Sequence, residues 1–171
     1  MTDRVIAVTV LEGAVEPFVH AFKYRNLPGL AVPLADRLCT LAGLRPATRE
    51  MFGSNPLIVP VPLFPTRLRE RGYNQAELLA HRIAAVAAMP CATDRLVRIR
   101  ATPPQVGTSG RAQRRDNMQG AFAVPASADV RDRDIVLVDD VTTTGATLDD
   151  CARALKEAGA RSVAALTLAH G

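Results

Sequence analysis

Two adjacent carboxylates, Asp139 and Asp140, stand between an apolar run and a run of small hydroxyl residues in the segment IVLVDDVTTTGATL, residues 135–148. Paired carboxylates can accept hydrogen bonds from a vicinal diol and can help hold a Mg²⁺ shared with bound phosphates. The stretch that follows, Val141-Thr142-Thr143-Thr144-Gly145-Ala146-Thr147, carries no bulky side chain, so backbone N–H groups can approach a phosphate closely. Threonine hydroxyls add donors, and a helix N-terminus adds partial positive charge. The chemistry these types and spacings allow is recognition of a sugar phosphate, with the acids on ribose hydroxyls and the loop on the 5-phosphate.

Positioning such groups requires a strand and a helix. Ile135-Val136-Leu137-Val138 reads as a short strand buried on both faces, ending at the acid pair. Leu148, Cys151, Ala152 and Leu155 recur at helical spacing and predict an amphipathic helix after the loop. An ordinary strand–helix connection is the competing reading, with Thr147 as N-cap and Asp150 completing a capping box. The two are compatible, because capping and phosphate binding use different donors. Asp149 and Asp150 are expected to be first-turn acids that point away from a phosphate. Open α/β sheets place ligands beyond the carboxyl ends of their strands, which favours the functional reading.

A second chemical stretch is VPVPLFPTRLRERGYNQ, residues 59–75. Its arginines Arg67, Arg69 and Arg71 lie between a strand end and a helix start, where guanidinium and backbone N–H groups can meet a pyrophosphate. Arg69 reads as a solvated charge. Arg67 and Arg71, with Pro62 at the strand end, are the candidate ligands. A third stretch, residues 101–118, has no periodicity and is rich in Pro, Gly, Ser, Thr and Arg. Such a long loop reads as a mobile lid carrying Gln105, Arg111, Arg114, Arg115 and Asn117, the alternative being a solvated connection.

Composition narrows the partners. The 171 residues are 48% hydrophobic with a formal net charge of +4, enough for one sizeable core, and a single α/β domain over residues 1–171 is expected. Lys23 and Lys156 are the only lysines, so the positive charge is almost all arginine, the side chain that binds phosphate bidentately. Residues 95–115 hold six arginines and no acid. Nucleic acid is one reading of that run, yet with no Trp and two Tyr, stacking platforms for single strands are scarce. The three cysteines, Cys39, Cys91 and Cys151, are far apart and predict neither a zinc site nor a disulfide framework. No signal pattern or membrane-length apolar run is read, and a cytoplasmic protein is the expectation.

Along the chain, residues 1–45 are expected to form a helical part, with helices over 12–25 and 30–42. Residues 57–61 read as a strand that Pro60 and Pro62 confine to an edge or a terminus. Residues 62–72 read as a loop. A helix is predicted over 73–89, with Asn74 as cap and Leu78, Leu79, Ile83 and Val86 on its buried face. Residues 96–99, 121–124 and 163–168 complete the strands.

Several of these elements, in order, resemble the ComF-type phosphoribosyltransferases of bacteria: Phe22-Lys23-Tyr24-Arg25, the block VPVPLFPTRLRERGYNQAELLA, TPPQ, Arg114-Arg115-Asp116-Asn117 with Gly120-Ala121-Phe122, and VLVDDVTTTGATL. The resemblance spans about residues 21–170 and implies a type I phosphoribosyltransferase fold, a central, mainly parallel sheet flanked by helices. It implies 5-phosphoribosyl-1-pyrophosphate (PRPP) as substrate, Mg²⁺ as cofactor held indirectly by Asp139 and Asp140 through ribose hydroxyls or water, and displacement of pyrophosphate by an unidentified acceptor. Asp139, Asp140 and Arg114 would be catalytic, and Val141 to Thr147 would hold the 5-phosphate. Pro62, Arg67 and Arg71 would meet the pyrophosphate under the lid. Many members begin with a cysteine-rich zinc-binding segment; none is read in this sequence, so no role of that segment is expected. A non-catalytic PRPP-, nucleotide- or single-stranded-DNA-binding protein linked to DNA uptake is the alternative. The expected partners are PRPP and at most a weak contact with single-stranded DNA, with no membrane and with an oligomer allowed.

Overall fold

The apolar run before the acid pair forms an inner strand of a four-stranded parallel sheet. The computed structural model of the chain describes residues 2–10, 15–25, 27–101 and 120–170. Its elements are, in order, β1 (Arg4–Val10), α1 (Val15–Tyr24), α2 (Ala31–Leu41), β2 (Pro56–Pro60), α3 (Pro65–Arg71) and α4 (Gln75–Ala87). There follow β3 (Val97–Arg98), β4 (Phe122–Ala123), β5 (Asp134–Thr142), α5 (Ala146–Glu157) and β6 (Ser162–His170). The sheet order is β1-β6-β5-β2, all neighbours parallel, while β3 and β4 form a separate antiparallel pair.

Alternation along β5 divides the core in two. Val136 and Val138 face Phe22, Leu38, Leu79 and Ile83 of α1, α2 and α4. Ile135 and Leu137 face Leu148, Cys151 and Leu155 of α5, together with Leu96 and Phe122 beside and within the β3–β4 pair. A strand covered on both sides has no solvent face, which is why its sequence reads as an uninterrupted apolar run. The expected mainly parallel sheet with flanking helices is therefore the architecture found.

The prolines of β2 sit as anticipated. Pro60 is its last residue, and β2 lies at the edge of the sheet order. Asn74 caps α4 by accepting from the Ala76 N–H at 3.1 Å, and its amide donates to the Val61 carbonyl at 3.1 Å. Two elements differ from the sequence reading. The N-terminal part is not only helical, because Arg4–Val10 is a strand whose register runs from Arg4↔Ala164 to Val10↔His170. Residues 65–71, read as loop, form the helix α3. Pro65 presets its first turn, and Gly72 ends it at φ +77, its N–H donating to the Leu68 carbonyl at 2.9 Å.

The amino end of β5 carries a polar lock far from the acid pair. Buried Asp134 accepts hydrogen bonds from Arg161, from Ser162 Oγ at 2.6 Å and from the Asn55 N–H at 3.2 Å. At Gly53, φ +108, an added Cβ would lie 2.0 Å from Asp134 Oδ2, so only glycine fits against it. The Arg161 hydrogen bond, with Ser162 and Asn55, holds the Asp134 carboxyl well below the usual carboxylate range despite burial. A depressed folded-state pKa contributes stability above the ordinary carboxylate value and loses it as pH falls toward the folded value. Asp134→Ala is thus expected to destabilise the fold by about 2 kcal/mol at neutral pH. The deficit should shrink on acidification below pH 4, read by denaturant titration across pH; a deficit independent of pH would refute the account.

Candidate functional site

Asp139 and Asp140 lie within β5, not past its end. The strand continues through Val141 and Thr142, which register with Ala169 and His170 of β6. The turn proper is Thr143-Thr144-Gly145, and Ala146 and Thr147 already belong to the first turn of α5. Gly145 caps that helix at φ +76, a left-handed conformation that side chains rarely adopt. Thr144 Oγ1 accepts from the Ala146 N–H at 3.4 Å. The seven predicted phosphate-loop residues, Val141 to Thr147, therefore run contiguously from strand end to helix start.

The capping box expected from Thr147 and Asp150 does not form, because Gly145 starts the helix two residues earlier. Asp150 instead turns inward. It is buried and accepts from the backbone N–H groups of Gly120, Ala121 and Phe122 at 2.9, 2.8 and 3.3 Å, and from Arg153 at 2.9 Å. Burial works to raise its pKa, but these donors hold it below the ordinary value. Asp149 accepts from the Thr2 N–H at 3.2 Å.

The acid pair is strained electrostatically. Removal from water, followed by the neighbouring Asp140 carboxylate, pushes Asp139 up to about 7. Two groups offset this. Asp139 Oδ1 accepts from the Asp140 N–H at 2.8 Å, and Lys23 Nζ stands 3.0 Å from Asp140 Oδ1. Arg98 of β3, stacked 5.4 Å over the Phe122 ring, lies within electrostatic range of Asp139 and of Arg67. On the adjoining strand the buried hydroxyl of Thr167, register partner of Asp139, has no hydrogen-bond partner among the described residues. Lys23 and Arg98 were not singled out from sequence as site residues. Lys23 belongs to the Phe22–Arg25 motif, whose place near the acids depends on long-range packing that no local pattern reveals.

Pro62 follows β2, with Val61 N–H donating to the Val138 carbonyl at 2.9 Å, so it stands beside the strand that carries the acids. Arg71 Nη1 donates to Gln75 Oε1 at 3.1 Å at the junction of α3 and α4. Arg67 pairs with Glu70 at 3.1 Å on the exposed side of α3. The predicted lid residues Gln105, Arg111, Arg114, Arg115 and Asn117 lie outside the described residues. A cleft of about 650 Å³, lined by Arg49, Glu50, Asn55 and Met89 among others, lies at the amino ends of β2 and β5, opposite the acids. Open α/β sheets place ligands beyond the carboxyl ends of their strands, the end at which the acid pair lies.

The residues suit Mg²⁺ in one mode only. Among the described residues no group of three His, Cys, Asp or Glu could enclose a metal. The Asp139 and Asp140 carboxylates, with the Thr167 hydroxyl beside Asp139, are hard oxygen groups, which fit an ion held at one remove through water or a ligand's hydroxyls. No helix among the described residues is long and apolar enough to cross a membrane.

Comparison with known proteins bears on the same residues. A family model described as "Phosphoribosyl transferase domain" matches residues 70–171. Competence protein F of Haemophilus influenzae is 35% identical over 154 residues, covering 89% of this chain and 66% of that protein. The DNA utilization protein YhgH of Escherichia coli is 31% identical over 161 residues, covering 94% and 69% respectively. Competence protein ComFC of Bacillus subtilis is 34% identical over 113 residues, 66% of this chain and 43% of its own length. The chain thus spans about two thirds of its first two relatives and less than half of the third. Among solved structures, the allosteric regulatory enzyme of purine biosynthesis aligns with a TM-score of 0.52 at 16% identity, covering 87% of this chain and 30% of that one, a likeness of fold.

Proposed function

The chain belongs to the phosphoribosyl transferase domain family as a ComF-type member, and from that premise we propose that it binds PRPP with Mg²⁺ and transfers the phosphoribosyl group to an acceptor nucleophile, releasing pyrophosphate. The observation that carries the reading is the contiguous acid-pair strand, glycine-capped turn and helix of residues 135–148, at the carboxyl end of a parallel sheet.

In the proposed reaction the bond from ribose C1 to pyrophosphate breaks as the acceptor approaches, and positive charge develops on the sugar. Asp139 and Asp140 hold the ribose hydroxyls and stabilise that charge. The turn from Val141 to Thr147 anchors the 5-phosphate and fixes the ring relative to the acids. Arg67 and Arg71 receive the negative charge on the leaving pyrophosphate, with Pro62 shaping the approach. Arg114 contributes further positive charge, and Gln105, Arg111, Arg115 and Asn117 close over the site and exclude water. Bound Mg²⁺ supplies charge neutralisation of the pyrophosphate, oriented by the acid pair through hydroxyls or water.

A second reading draws on the relatives' names, which refer to competence and DNA utilization. In it the site binds PRPP or a nucleotide without turnover, and the arginines of residues 95–115 contact single-stranded DNA weakly. Salt separates the two: DNA binding that neutralises several phosphates weakens steeply with salt, whereas closure on one pyrophosphate does so less. The direct test of ligand class is thermal. PRPP with Mg²⁺ at about a hundred times Kd is expected to stabilise the fold by roughly 2.7 kcal/mol. Absence of any melting shift with PRPP, ribose 5-phosphate or nucleoside monophosphates at millimolar concentration would sink the ribose-phosphate reading.

A further inference from the structure

Lys23 ends α1 with its ammonium on Asp140, and 22% of its side chain remains exposed. An isolated ion pair of this kind is worth little and signifies little. This one is built in. The Phe22 carbonyl accepts from the Tyr73 hydroxyl and from Gln75 Nε2, and the Phe22 ring packs fully buried, 5.9 Å from that of Tyr73. Gln75 is itself buried, and its Oε1 accepts from Arg71. One buried glutamine thus ties the helix end that presents Lys23 to Arg71 of the candidate pyrophosphate region. The other lysine, Lys156, pairs with Asp3 on the last turn of α5.

The chemistry follows from where a ribose would lie. Carboxylates that hold the ring hydroxyls bring C1, which adjoins the O2-bearing carbon, to the same end of the site. An ammonium on a flexible four-carbon stem, paired with Asp140, can reach an anionic group on C1, and, as a point charge, can follow it as it leaves. We infer that Lys23 binds the anionic substituent on ribose C1, making it a specificity-determining residue that selects a 1-pyrophosphorylated ribose 5-phosphate over ribose 5-phosphate itself. This rests on the PRPP reading above. In the absence of substrate the same ammonium neutralises Asp140; on binding it is shared with the pyrophosphate.

The test is calorimetric titration of the full chain with PRPP, inorganic pyrophosphate and ribose 5-phosphate, each with and without Mg²⁺. Parent, Lys23→Met, Lys23→Arg and the control Lys156→Met would be compared, with melting curves to verify folding. Lys23→Met is expected to weaken PRPP and pyrophosphate by roughly tenfold or more while leaving ribose 5-phosphate within about twofold. Lys23→Arg should recover part of the loss, and Lys156→Met should match the parent. Equal loss for PRPP and ribose 5-phosphate would overturn the assignment and leave Lys23 as a support for Asp140. Unchanged affinities would overturn it too, as would failure of both Lys23 variants to fold, since that makes the pair structural. A parent that binds none of the probes would instead overturn the ribose-phosphate reading beneath it.

Discussion

On the proposed phosphoribosyl-transfer reading, Asp139→Asn and Asp140→Asn are each expected to lower turnover by roughly 10²–10³-fold while the fold persists, because each removes a charge assigned to the transition state and not to packing. The two variants should part company in stability. Asp139 is partly buried beside a second carboxylate, and loss of water around it followed by that neighbour raises its pKa to about 7. A raised carboxylate destabilises the fold as pH climbs from its ordinary value through the folded one, since the folded state keeps a proton that the unfolded state releases. Asparagine removes that penalty, so Asp139→Asn should melt at or above the parent temperature at pH 8 and gain little at pH 4. Asp140→Asn deprives Lys23 of its partner and should melt slightly lower. Turnover assays paired with melting curves at the two pH values decide the matter: two variants with full turnover would reassign the acids to a structural role.

The largest effect on stability is expected at Asp150. Its carboxylate satisfies three consecutive backbone N–H groups, Gly120, Ala121 and Phe122, and is paired with Arg153. Asp150→Ala would leave these donors inside the protein without partners, a loss of about 3 kcal/mol and roughly 6–12 °C in Tm. Asp150→Asn keeps one acceptor oxygen and should lose less. Asp149→Ala, one residue away with its carboxylate on Thr2, should lose little. The Asp150 carboxylate also fastens α5 to the β3–β4 pair that carries Arg98, so on the proposed PRPP reading Asp150→Ala should weaken PRPP binding as well. A melting temperature within a degree of the parent would show that water serves those N–H groups equally well.

The sequence disclosed whatever is written in one contiguous segment. Ile135–Val138 reads as a doubly covered strand, and it is one. Asn74 looks like a cap, and it accepts from Ala76. Pro60 confines its strand to an edge or a terminus, and it is the last residue of β2. What escaped was of two kinds. Local conformation misled where one residue outweighed its neighbours: proline at the start and glycine at the end turned an apparent loop into α3, and Gly145 displaced the expected Thr147 cap. Long-range contact misled elsewhere. Nothing near Asp150 announces that it serves backbone thirty residues upstream, and nothing near Lys23 announces Asp140. Strand β1 is a short β-branched run, yet its place is set wholly by β6.

That last pairing governs how the chain assembles. Strand β1 finds its neighbour only in β6, about 160 residues later in the sequence, as the Arg4↔Ala164 register records. Until then β1 has no hydrogen-bonding partner within the sheet, and β5 is paired on one side only, by β2. Contacts so distant in sequence slow folding, because the entropy of closing the chain comes before any pairing can compensate it. Completion of the sheet is therefore a late event, and the half-formed sheet waiting for it presents open strand edges to whatever stands nearby. The sheet keeps an open edge on β5 until the stretch 162–170 is in place to join β1 and β5.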